Sequence, residues 1–146
     1  MKKLLISITI ILFAILLIGA FVYANFNKPY SEIINMNWSI KLPKDYKEIY
    51  STDSGPSFHG DGTRYHIFQY SSSNDIDRAL DWANDKNAEM ESKVTEILKR
   101  LIIPIEYAPD FQNQYRYFIT VKKGPSTIYF IFVPTSKKLY IIEDIL

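Results

Sequence analysis

Cysteine is absent from all 146 residues, which excludes a disulfide framework, a thiol nucleophile, cysteine-ligated zinc and a lipidated cysteine behind a signal sequence. Histidine is nearly as scarce, with only His59 and His66. Of five glycines, three crowd into residues 53–63 (DSGPSFHGDGT). No glycine-rich turn opens a helix, so the chain offers no phosphate cradle, and no G-x-S-x-G nucleophile elbow is present. Nor is one sign of charge in excess. Apart from Lys2 and Lys3, the chain holds 15 basic against 16 acidic residues, which lacks the footprint of a nucleic-acid binder.

What the chain has in quantity is apolar surface at its start. Leu4 to Ala24 runs for 21 positions without a charge, behind Met1-Lys2-Lys3. As a helix such a run rises about 32 Å, close to the ~30 Å hydrocarbon layer of a bilayer. The expectation is a transmembrane helix over 1–24. Lys28 and Glu32 cancel on the far flank, so the amino terminus stays in the cytoplasm and the rest lies outside. A cleaved signal peptide is the alternative: Val22-Tyr23-Ala24 ends on a small residue, although signal cores usually run to about 7–15 apolar residues. In both readings the folded part is extracytoplasmic.

Beyond the apolar run, residues 25–36 read as a tether and 37–146 as a single α+β domain. Trp38 to Leu42 alternates apolar and polar side chains, the period of a half-buried strand, and Pro43 ends it. A second strand is expected near Tyr46 to Thr52 and a third over Arg64 to Ser71, separated by the glycine-rich loop. Ile76, Leu80, Ala83, Asn87, Met90, Val94, Ile97 and Leu101 then form a helical stripe, interrupted at Asn87. Pro104 and Pro109 stop it. Three strands follow, Tyr115 to Lys122, Thr127 to Val133 and Lys138 to Ile145, with connections short enough for antiparallel hairpins. The expected fold is therefore an antiparallel sheet of about six strands, βββ-α-βββ, with one long or broken helix packed on it.

The run W-S-I-K-L-P-K-D-Y, Trp38 to Tyr46, resembles the strand-LP-turn start of PsbP- and Mog1-like domains. Taken whole, the chain is similar to uncharacterised single-anchor exported proteins of bacteria. The first resemblance implies an α/β-type core around those nine residues; the second implies a location and no activity.

Candidate chemistry centres on the loop holding His59 and Asp61, with His66 on the strand that follows. Imidazole and carboxylate suit a divalent metal, but a catalytic zinc site takes three protein ligands and the spacing fits no zinc or calcium motif. No cofactor is expected, and the chain is read as non-catalytic. Ile128 to Val133 is apolar on both faces, as in a strand covered on both sides. The cover is expected from residues 29–36, from half of the broken helix, or from the 102–114 connection. The alternative is an exposed aromatic patch that binds an envelope protein, a peptide or a glycan. The functional expectation is a membrane-anchored binding domain. Its rivals are a secreted inhibitor or immunity-type binder, and a hydrolase using His59 and Asp61.

Overall fold

The computed structural model describes residues 2–26, 28–55, 61–122 and 124–146, with side chains from residue 9 and excepting 24–26. The chain divides into two compact units, Met1–Lys41 and Leu42–Leu146.

The first unit holds two helices, α1 (Lys2–Phe26) and α2 (Tyr30–Trp38). Side chains are described over residues 9–23 of α1 and all are exposed. Among the described residues, no helix is long and apolar enough to cross a membrane. The transmembrane helix expected over 1–24, and the membrane-anchor character drawn from it, are corrected on this finding.

The first expected strand is also absent. Trp38 closes α2, and Ser39 follows with φ 59°, a left-handed cap whose N–H donates to the Asn35 carbonyl at 2.9 Å. Side chains from Trp38 to Leu42 do alternate between buried and exposed. They do so without a ladder partner, because the cap and Pro43 turn the backbone away from strand geometry. Alternation reported burial here, not pairing.

The second unit is an antiparallel five-stranded sheet with the order β1-β2-β5-β4-β3. Its strands are β1 (Tyr46–Asp53), β2 (Gly62–Tyr70), β3 (Arg116–Val121), β4 (Thr127–Val133) and β5 (Lys138–Ile145). Five strands therefore replace the six expected. Between β2 and β3 the helical stripe takes the broken form of the two expected, as a short α3 (Asn74–Asp77), an irregular stretch, and α4 (Ala88–Arg100). Asn87 is where the stripe breaks because it is the cap of α4: its side chain accepts from the Met90 N–H at 3.0 Å. Its amide also donates to the Tyr117 hydroxyl at 3.1 Å, tying the helix start to β3. Asn87→Ala is expected to cost about 1–2 kcal/mol, because both ties go. Urea denaturation checks it, and Asn87→Asp, which keeps the cap acceptor, should recover much of the loss.

Helix α4 presents Met90, Val94, Ile97 and Leu98 to one face of the sheet, against Tyr65, Ile67, Ile131, Tyr140 and Ile142. Ile103, Tyr107 and Phe111 from the 102–114 connection complete that same layer, on the face that α4 covers and not on the opposite face for which that segment was expected. On the opposite face Phe68, Phe130, Phe132, Leu139 and Ile141 are each fully buried. Tyr46 stacks on Phe68 at 3.8 Å and Trp82 lies 5.9 Å from Phe132. The centre of the sheet thus exposes no aromatic face.

Candidate functional site

A groove of the second unit lies where α4 overhangs the edge of the sheet. One wall is the polar flank of α4, with Glu89, Ser92, Lys93 and Glu96; the floor is Met90 and Tyr129; the other wall is Ile119 and Val121 of β3. The groove encloses about 610 Å³, within the range of small-ligand and peptide clefts, about 300–1,000 Å³. It exists because the stripe of α4 that faces the sheet is narrow, so that the helix's polar flank stands opposite Ile119 and Val121 of β3. The Val121 side chain, 61% exposed, forms the rim.

The groove's electrostatics are mild. Lys93 is engaged by Glu96 one turn on, at 3.9 Å. Glu89 then leaves the wall with one net negative charge. Burial, with Asp144 and Glu89 nearby, raises the pKa of Tyr129 above that of an ordinary phenol. Its hydroxyl stays neutral at physiological pH, with the Thr127 side chain as a hydrogen-bond partner that pulls the pKa the other way. Behind the groove, Tyr115 donates to Glu91 at 2.5 Å and accepts from the Asn87 N–H at 3.1 Å. Lys86 sits 4.6 Å from the centre of the Tyr115 ring. Burial and Glu91 together push the Tyr115 hydroxyl up to about 12. These contacts tie the first turn of α4 to Tyr115.

The candidates marked in the sequence fall elsewhere and do not converge. His59 lies outside the described residues. Asp61 just precedes β2 and His66 lies five residues along, about 16 Å at strand rise. Among the described residues, no group of three or more histidine and acidic side chains is placed to hold a metal ion.

His66 instead pairs through Nδ1 with Glu48 of the neighbouring β1. Two positions back, Arg64 reaches the buried Glu143 of β5 at 3.7 Å. The other buried carboxylate, Asp144, is held on the opposite face by Arg100 at 3.0 Å and Thr63 at 3.1 Å. Each acidic group is thus matched to a basic one across adjacent elements, an arrangement that pins strands and helix together.

Burial lowers the pKa of His66 below its ordinary value of 6.5, outweighing the opposite pull of Glu48 and Glu143; Arg64 adds to the lowering. The folded state therefore disfavours the imidazolium. Above about pH 6.5 the ring is neutral in both folded and unfolded chains, and its contribution to stability is whole. As pH falls through that value the unfolded chain takes the proton more readily, and stability declines until the folded pKa is passed. Urea midpoints taken from pH 7.5 to 5 should fall, and His66→Gln should flatten that limb.

Sequence reading missed the groove altogether. Its walls lie about thirty residues apart in the chain, and the one local signal was Asn87, an N-cap residue two positions before Glu89. Comparison with protein families, with curated proteins and with solved structures gives no match for this chain.

Proposed function

We propose that this chain is a binding module that works by holding a ligand in the groove between α4 and β3, without chemistry of its own. The observation that carries the reading is the groove itself: about 610 Å³ of open, mixed polar and apolar lining beside the uncovered rim of β3. The polar pairs elsewhere support it, because His66 with Glu48, Arg64 with Glu143 and Arg100 with Asp144 are engaged with one another. A preformed concavity that joins apolar surface to a set of polar groups is the usual character of a recognition site.

The test is an immobilised panel of short peptides and cell-wall glycans read by fluorescence. Ser92→Trp fills the groove from an exposed position, so the fold is spared; it should weaken binders at least tenfold. Lys47→Ala, on the far edge of the sheet, should leave them within twofold. Turnover of any panel member that is lost in His59→Ala or Asp61→Ala would overturn the reading in favour of a hydrolase. So would binders indifferent to Ser92→Trp.

For the place of action we propose export of the residues after 24. Support comes from the sequence alone, from the Lys2-Lys3 head, the apolar run and the small residue at Ala24. An intact mass of the native protein lacking 24 residues would agree with it. A full-length protein that resists protease added to whole cells and yields to it after lysis would refute it.

A further inference from the structure

Strand β3 is one of the two edges of the sheet. Among the described residues its outer side is paired at one point only, where Tyr117 and Ala83 exchange backbone hydrogen bonds, each of 2.9 Å. Backbone groups of a strand alternate sides with period two. Tyr117 faces outward, so the N–H and C=O of Ile119 and Val121 face outward as well. The line begun by Ala83 stops there, because the chain before it turns away toward α3.

The two edges are not treated alike. β1 carries a bulge between Glu48 and Tyr50 together with Lys47, Glu48 and Asp53, devices that discourage pairing with another chain. β3 is regular throughout its pairing with β4, and from Tyr117 to Val121 it holds no charged residue. An unguarded edge beside a cleft that its own side chains line is the arrangement that accepts an added strand.

On this basis we infer that the groove's ligand is an extended peptide, added antiparallel to β3 at Ile119 and Val121, with an apolar side chain packed beside Val121 at the mouth of the groove and a basic one facing Glu89. The inference rests on the groove reading and deepens it. The hydrogen bonds come from the edge, and the apolar contact from Ile119 and Val121, the wall that the added strand adjoins. The basic preference follows from charge complementarity, since Lys93 is spent on Glu96 and Glu89 leaves the wall net negative. Apolar and basic side chains must stand two residues apart, because only alternate positions of a strand face the same side. A second copy pairing β3 to β3 fits less well. Its hairpin end would meet the segment at Ala83 that already covers Tyr117.

The probe is a capped pentapeptide, Thr-Val-Thr-Lys-Thr, with companions carrying Ile, Leu or Phe in place of Val. Each is titrated into the isotope-labelled full chain and followed by amide NMR shifts. The Ile119 and Val121 amides should move most. N-methylation of the peptide's Val or Lys removes a proton aimed at β3 and should weaken binding about tenfold, one hydrogen bond's worth. N-methylation of the central Thr, whose N–H faces solvent, should change it less than twofold. Val121→Pro deletes an outward N–H without touching the bonds to β4; it should cost about the same tenfold with the urea midpoint held. Glu89→Gln should weaken the lysine peptides severalfold and leave their norleucine counterparts unchanged.

Equal affinity of the three N-methylated forms would overturn strand addition while leaving the groove as a binding site. Failure of every alternating peptide at millimolar concentration, with panel ligands still sensitive to Ser92→Trp, would do the same. Concentration-dependent self-association that broadens Ile119 and Val121 without added peptide would assign the edge to a second copy instead. Indifference of all ligands to Ser92→Trp would remove both readings.

Discussion

Phe130→Ala should destabilise the second unit by about 3–5 kcal/mol, a large part of the roughly 5–15 kcal/mol that holds a domain of this size together. Phe130 is fully buried on β4, a strand paired on both sides: it opposes Ile141 of β5 and Phe118 of β3. Truncation removes a ring from a layer that also holds Phe68, Phe132 and Leu139, all without exposure. The strands are fixed by their ladders, so the layer cannot close over the gap, and the cavity term adds to the lost transfer energy. Phe118 provides the internal comparison. It lies on the edge strand, is only half-buried, and sits 6.2 Å from Phe130; Phe118→Ala should cost roughly half as much, because part of its surface already meets water. Urea denaturation of both variants checks the order, and equal losses would mean that the sheet repacks as a fluid layer.

The hairpins at the carboxyl-terminal end were legible because their signals are local. β4 and β5 begin and end where alternation and the Pro134 to Lys137 turn placed them, and apolar residues on both faces of 128–133 marked a strand with neighbours on either side. Local signals failed where a single residue decided between two patterns. Ser39 in the left-handed region converts the apparent strand at Trp38 to Leu42 into a helix end. Asn87, read as a flaw in the stripe, is the cap that starts α4 and leaves residues 78–87 outside any helix. The apolar run at the start of the chain had the composition of a spanning helix, yet among the described residues no helix is long and apolar enough to cross a membrane. The groove was invisible for a different reason. It is made by α4 overhanging a strand about thirty residues later in the chain, and nothing in either segment alone announces the other. His66 and Asp61 attracted notice by residue type, but strand rise keeps them apart, and the partner of His66 is a carboxylate eighteen residues earlier.

Arg100→Met is expected to cost about 2 kcal/mol and to loosen the wall of the groove. Arg100 ends α4 and reaches the nearly buried Asp144 of β5 at 3.0 Å, while the Thr63 hydroxyl of β2 donates to the same carboxylate oxygen at 3.1 Å. Removing one member of a buried pair strands a charge and typically costs about 3–5 kcal/mol. Arg100 is half exposed, so solvent already screens part of the attraction and the figure is reduced accordingly. Methionine keeps the aliphatic stem packed against the sheet, leaving the lost charge as the main change. If the cost comes from the stranded carboxylate, Asp144→Asn placed on top should return about half of it, since the amide oxygen still accepts from Thr63. A double variant no more stable than Arg100→Met alone would show that the guanidinium acts by packing instead. The two ends of α4 are thus fixed by different means, Asn87 to β3 at the start and Arg100 to β2 and β5 at the finish. A groove whose wall is pinned at both ends is formed before its ligand arrives, so binding need not supply the entropy of ordering it. Arg100→Met should accordingly weaken the alternating pentapeptide a fewfold from a site on the far side of the helix, and unchanged peptide affinity at the lowered stability would show that the cap at Asn87 alone sets the wall.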